Sequence, residues 1–272
     1  MTDDLRSTVG AVWLNHQRQG NGDPLILLHS LGGSLIQWAP VMDLLATERE
    51  VIAIDMPGFG ESAPLPDGVS PRAANLATAV LDFYDALGIE RTPAVAGISL
   101  GGWVAIECAR QGGASAVVGL CTAGFWRRSP DPSNRRLARA RRRGRALRPL
   151  FRPVMRTARG RREALGRFIF RPERLSPGEA QAVANAYVTA PAYDEASALM
   201  RAGRIEELKA IKVPITLAWA EHDTLVRNKP LPTKVLPKRV EQVVLPECGH
   251  VPTWDDPDLV ARVVLAGARR QR

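Results

Sequence analysis

The chain has 272 residues, 45% of them hydrophobic, and a formal charge of +9 at neutral pH. That length suits one large domain better than two equal ones, and no run approaches the roughly 18 apolar residues of a membrane span. Cys108, Cys121 and Cys248 are odd in number, lie among apolar neighbours and lack ligand spacing, so neither a disulfide framework nor a metal is expected.

The N-terminal stretch MTDDLRSTVG is acidic and polar, without the basic start and apolar run of a secretory signal, and a soluble cytoplasmic protein is expected. VGAVWLNHQ (9–17) and PLILLH (24–29) read as strands joined by a hairpin turn in RQGNGD, and EVIAID (50–55) as another strand followed by the loop MPGFGES. Ser70 and Pro71 read as the cap and first position of a helix whose Leu76, Val80, Tyr84 and Leu87 share one face, with Gly88 ending it. TPAVAG, LGGWVAIECARQGG and AVVGLCT then read as strand, helix and strand, which is the order of a mostly parallel sheet flanked by helices, an α/β fold.

The alternation breaks at Gly124. From there to about residue 205 only helical pieces are expected, interrupted by Pro149, Pro153, Pro172 and Pro191, with a capping box at Ser176, Pro177 and Glu179. Strand and helix order resumes with PITLAWA, VEQVVLP and a last helix opened by Asp256 and Pro257.

Charge is uneven. Residues 127–174 hold eighteen arginines against Asp131, Glu163 and Glu173, a local +15 that leaves −6 for the remainder. With 32 arginines to five lysines throughout, a solvated face is the favoured reading, ahead of anionic-substrate attraction, a membrane surface or nucleic acid. Aromatic residues are too sparse there for a base-stacking platform.

GISLGG (97–102) places Ser99 between a strand and a helix, with Gly97 and Gly101 on either side. A side chain is lifted clear of a sheet at such a turn only if strand and helix approach closely, which needs small neighbours, and the first free amides of the helix then face whatever the serine attacks. A serine hydroxyl is a weak nucleophile and requires a base and a group that orients the base. His16, His29, His222 and His250 are the available histidines.

GISLG resembles the GxSxG nucleophile elbow of the α/β-hydrolase superfamily, and the resemblance extends over about residues 1–123 and 206–272. It implies an α/β-hydrolase core formed by those two stretches, with residues 124–205 as an inserted helical cap. It implies Ser99 as nucleophile, His250 in ECGHVP as base, and Asp223 in AEHD as the orienting acid, with Glu221 its nearest rival. The other family location for the acid, after Thr122, offers only AGFW. HSLGG (29–33) corresponds to the oxyanion loop, with the amides of Leu31 and Leu100 as donors, and Ser30 stands where the family commonly has glycine. His29 and the DMPGFGES turn are then structural. Phe125, Trp126 and Trp254 are candidate pocket residues, with core packing as the alternative for each.

The resemblance thus implies a serine hydrolase that cleaves an ester, lactone or thioester through an acyl-enzyme, without cofactor or metal, on a small ester-like substrate. A serine at the elbow argues against the dehalogenase and epoxide-hydrolase branches, which use aspartate. The alternatives are a C–C bond hydrolase of a ring-cleavage product and a non-catalytic binding protein on the same fold. Nucleic acid is not an expected partner, and homo-oligomerisation is left open.

Overall fold

The computed structural model describes residues 14–126, 135–226, 230–231 and 236–270. Seven strands form one sheet in the order β1-β3-β2-β4-β5-β6-β7. The strands are β1 (His16–Gln19), β2 (Pro24–Leu28), β3 (Glu50–Ile54), β4 (Ala94–Ile98), β5 (Ala116–Leu120), β6 (Ile215–Ala220) and β7 (Val240–Leu245). All neighbours are parallel except β1, which runs antiparallel to β3 with His16 opposite Ile54.

Strands β2, β4, β5 and β6 are buried on both faces and so read as unbroken apolar runs. Their side chains still alternate: Leu25 and Leu27 of β2 join one core, with Trp38, Met42 and Val264, and Ile26 and Leu28 join the other, with Val80, Phe83 and Val104. Helices α1 (Ala39–Ala46) and α9 (Pro257–Arg269) cover the first face, while α2 (Ala73–Ala86) and α3 (Leu100–Arg110) cover the second.

Between β5 and β6 the chain forms α4 (Arg135–Leu147), α5 (Phe151–Met155), α6 (Ala158–Leu165), α7 (Pro177–Thr189) and α8 (Tyr193–Ala202), with no strand among the described residues. The Ser176 capping box is present at α7, and Asp256 caps α9 by accepting from the Leu259 amide at 2.9 Å.

Two expectations are corrected, and one helix is added. RQGNGD does not join hydrogen-bonded neighbours, because β3 lies between β1 and β2; residues 9–13 of the first expected strand fall outside the described residues. Helix α2 begins at Ala73 with Arg72 as its cap, since the Ser70 carbonyl instead accepts from Arg72 N and Asn75 Nδ2. And α1 carries no strong sequence signal, yet it packs Val41, Met42 and Leu45 into the core.

One of the basic-segment arginines is not solvated. Arg141 is 2% exposed, donates from Nε to the Tyr187 carbonyl and from Nη1 to Asp194, lies over the Tyr193 ring, and thereby pins α4 to α7 and α8. Arg139, Arg142, Arg143, Arg145 and Arg148 of the same stretch are exposed.

Candidate active site

The parallel strands all end at the same edge of the sheet, so the loops after β2, β4, β6 and β7 converge there, where open α/β sheets hold their ligands. Ser99 leaves β4 with φ 56° and ψ −111°, a conformation that a residue with a Cβ adopts only under constraint. The constraint is visible. The Ser99 amide donates to the Leu120 carbonyl at 2.8 Å, and its carbonyl accepts from Ala123 N at 3.1 Å and Trp103 N at 3.2 Å. A Cβ on Gly97 would lie 2.1 Å from the Gly101 carbonyl oxygen, and one on Gly101 would lie 2.4 Å from that of Leu28, so the two glycines let strand and helix meet.

His250 and Asp223 arrive from the loops after β7 and β6. Their side chains are 5% and 4% exposed, with His250 Nδ1 2.8 Å from Asp223 Oδ2. The other carboxylate oxygen of Asp223 accepts from the amides of Leu225 (2.8 Å) and Val226 (3.0 Å). Burial pushes this carboxyl up, but His250 and the two amides outweigh it and hold Asp223 below the ordinary carboxylate range. An ionised carboxylate only accepts, so Nδ1 carries a proton, and in the neutral imidazole the lone pair is then on Nε2. Ser99 and His250 line one cavity of about 90 Å³, which Leu31, Trp126, Tyr193 and Arg201 also line.

The amides of Leu31 and Leu100 have no acceptor among the hydrogen bonds of the described residues. Leu100 is the first residue of α3, where the amides and the helix dipole favour negative charge. The loop that carries Leu31 takes its positive φ at Gly32 (73°) and not at Ser30, so the serine fits without that strain. Ser30 is gripped by Gln37, which accepts from its amide at 2.9 Å and donates to its hydroxyl at 3.0 Å, while the Gln37 carbonyl accepts from Thr253 Oγ1 at 2.6 Å. Gln37 thus couples the Leu31 loop to the His250 loop.

His29 is buried and neutral: burial pushes its pKa down, Nε2 accepts from the Met56 amide, and Nδ1 is 2.8 Å from the Ser30 carbonyl. In the DMPGFGES turn, Asp55 accepts from Leu35 N, Asn15 Nδ2 and Glu61 N, and Ser62 Oγ donates to the Asp55 carbonyl, so both side chains bind backbone. Of the three candidate pocket aromatics, only Trp126 lines the cavity. Phe125 packs edge-on against Trp219, and Trp254 belongs to the core. Glu221 accepts from the Glu247 amide and does not meet His250 Nδ1, which Asp223 occupies.

Sequence reading gives no role to Asp255. Its carboxylate is 1% exposed; Oδ2 accepts from Gly249 N (2.8 Å) and Phe170 N (3.1 Å), and Oδ1 from Arg171 N (2.7 Å). One side chain therefore ties the loop of His250 to the insertion between β5 and β6. A carboxylate just after GHVPTW is the one signal available, and Asp256 beside it, a cap, masks it.

Among the described residues, two groups of side chains stand close enough to share an ion: Cys121 with Asp223 and His250, and Glu221 with His222 and Glu247. In the first, burial and then Asp223 push the Cys121 thiol well up, which keeps it protonated and a poor ligand. In the second, Arg171 already neutralises Glu247.

Residues 25–263 match the model of the alpha/beta hydrolase family. The chain belongs to that family. Across 97% of its length it superposes on all of an enol-lactonase from Burkholderia xenovorans LB400 at a TM-score of 0.75 and 22% identity. Against an esterase from Thermogutta terrifontis the values are 97% of this chain, 95% of that one, 0.70 and 23%. At these identities the likeness is one of fold. The dihydrolipoyllysine-residue acetyltransferase component of the acetoin cleaving system of Cupriavidus necator is 36% identical over 102 residues, which are 37% of this chain and 26% of that protein. The chain therefore spans about a quarter of that curated relative. Among the described residues of this alpha/beta hydrolase, no helix is long and apolar enough to cross a membrane.

Proposed function

We propose that this protein is a serine hydrolase that cleaves a carboxylic ester, lactone or thioester through an acyl-enzyme. The observation that carries the reading is a constrained Ser99 sharing a small cavity with His250, whose Nδ1 is engaged by an ionised Asp223.

Ser99 Oγ attacks the carbonyl carbon while His250 Nε2 takes its proton, and Asp223 holds the tautomer and stabilises the imidazolium. The amides of Leu31 and Leu100 receive the oxyanion, each donor contributing a factor of about 100 to 1,000 in rate. Collapse of the tetrahedral adduct expels the alcohol or thiol with the proton from His250. Water, deprotonated by the same nitrogen, then releases the acid and restores Ser99. Residues 124–205 act as a cap: Trp126, Phe168, Tyr193 and Met200 wall the cavity and exclude water from it. That an esterase and an enol-lactonase share the fold is in keeping with this bond class.

The test is reaction with a fluorophosphonate followed by mass mapping, together with hydrolysis of 4-nitrophenyl esters of graded chain length. A single adduct at Ser99 and loss of turnover in Ser99→Ala are expected. An adduct elsewhere, or turnover that survives Ser99→Ala, overturns the reading.

A further inference from the structure

The wall of the cavity is largely apolar, with Trp126, Phe168, Met200 and Leu225 among its residues, yet it holds one guanidinium, that of Arg201 in the last turn of α8. Three other arginines find carboxylates. Arg141 pairs with Asp194 at 2.9 Å, Arg204 with Glu206 at 2.8 Å, and Arg171 with Glu247. Arg201 has no such partner among the described residues, and its Nε is withdrawn from solvent without an acceptor. Its charge reaches into the cavity: burial and then Tyr187 push the Tyr193 hydroxyl up, and Arg201 lies close enough to pull against them.

A guanidinium keeps its proton at any working pH, and holding one against an apolar wall is unfavourable unless an anion meets it. Nothing in the proposed chemistry at Ser99 requires a cation there, because the oxyanion is met by backbone amides. We infer that Arg201 is the counter-charge for a carboxylate on the substrate, so that the enzyme hydrolyses small acyl compounds bearing an acid group of their own. This rests on Ser99 being the nucleophile. A planar carboxylate matches the two-pronged donor face of arginine, and a lone guanidinium balances one negative charge. The cavity of about 90 Å³ has room for roughly six to nine waters, which fits the half-ester of a short dicarboxylic acid and not a fatty acyl chain.

The test compares 4-nitrophenyl hydrogen glutarate with its neutral primary-amide counterpart, which has the same length. The unmodified enzyme is expected to prefer the anion. Arg201→Gln is expected to lower kcat/KM for the anion by roughly 10- to 100-fold, mainly through KM, and to affect the amide far less; Arg201→Lys recovers part of the loss. In a second measurement, which needs no variant, glutarate is expected to protect Ser99 from the fluorophosphonate and glutaramide is not. Equal losses on both substrates, no preference for the anion, or equal protection by the two compounds overturns the inference. Labelling at Ser99 is read separately: a labelled serine without carboxylate preference refutes only the role of Arg201, whereas an unlabelled serine refutes the hydrolase reading beneath it.

Discussion

Replacing Asp255 with alanine removes the acceptor of three backbone amides at once, those of Gly249, Phe170 and Arg171. An orphaned buried donor costs roughly 1–3 kcal/mol; with about 1 for each of the two partly buried amides and about 2 for Gly249, the loss is about 4 kcal/mol. At about 2–4 °C per kcal/mol for a chain of this size, the melting temperature falls by about 8–16 °C. Asp255→Asn keeps one oxygen for the Gly249 and Phe170 amides but turns its NH2 toward that of Arg171. With one donor orphaned the loss is about 1 kcal/mol, or about 2–4 °C. Differential scanning calorimetry on the three proteins reads this order. Hydrolysis of a 4-nitrophenyl ester, measured well below each transition, reports the His250 loop, and Asp255→Ala is expected to be slower there as well. An alanine variant melting within about 2 °C of the unmodified protein, or asparagine and alanine variants that melt together, would refute the claim that this carboxylate holds the insertion and the histidine loop in place.

Asp223→Asn leaves His250 in the wrong tautomer and should lower kcat by about 10,000-fold, the size of the same change in a serine-protease triad, read as a slowed rate of fluorophosphonate labelling. Because Asp223 is held below the ordinary carboxylate range, its contribution to stability is complete above that range and is lost as pH falls through the lowered value. The asparagine variant should therefore flatten the acid limb of a stability–pH curve, as measured by urea unfolding. Gly97→Ala places a Cβ 2.1 Å from the Gly101 carbonyl oxygen, a backbone atom that cannot turn aside; a loss of about 3 kcal/mol or more is expected, with Ser99 labelling falling alongside the melting temperature. Arg141→Ala strips a donor from the Tyr187 carbonyl and frees an exposed Asp194, which should loosen α4 by about 2 kcal/mol and speed limited proteolysis between residues 135 and 202.

What could be read from the sequence follows from range of interaction. The Ser99 turn depends on residues two positions away on either side, so GISLG displays its own geometry, and the caps at Ser176 and Asp256 are equally local. Asp223 sits in a loop between two recognisable strands and His250 between the last strand and the last helix, and their family pattern supplies the pairing that distance in the chain hides. The pairing of β1 with β3 was hidden for the opposite reason: RQGNGD has the composition of a hairpin turn, but a strand from thirty-odd residues later takes the place beside β1. Asp255 bonds amides 84 and 85 residues away, and Gln37 receives Thr253 across 216, so the long-range part of each role is not written in its own neighbourhood. Arg141 looks like any other member of an arginine run; only the packing of α7 and α8 around it sets it apart.

At position 99 folding and chemistry favour different residues. The backbone there belongs to the region where glycine is at ease, and a serine costs of order 1–3 kcal/mol, out of a total that for globular proteins is typically about 5–15 kcal/mol. On the proposed function, a chain released from the need for a nucleophile would gain in heat tolerance by exchanging the whole side chain, Cβ included, for the hydrogen of glycine. Hardening this molecule for use at high temperature would then draw on sites away from the elbow, because relief of the strain at position 99 removes the hydroxyl that the proposed mechanism needs.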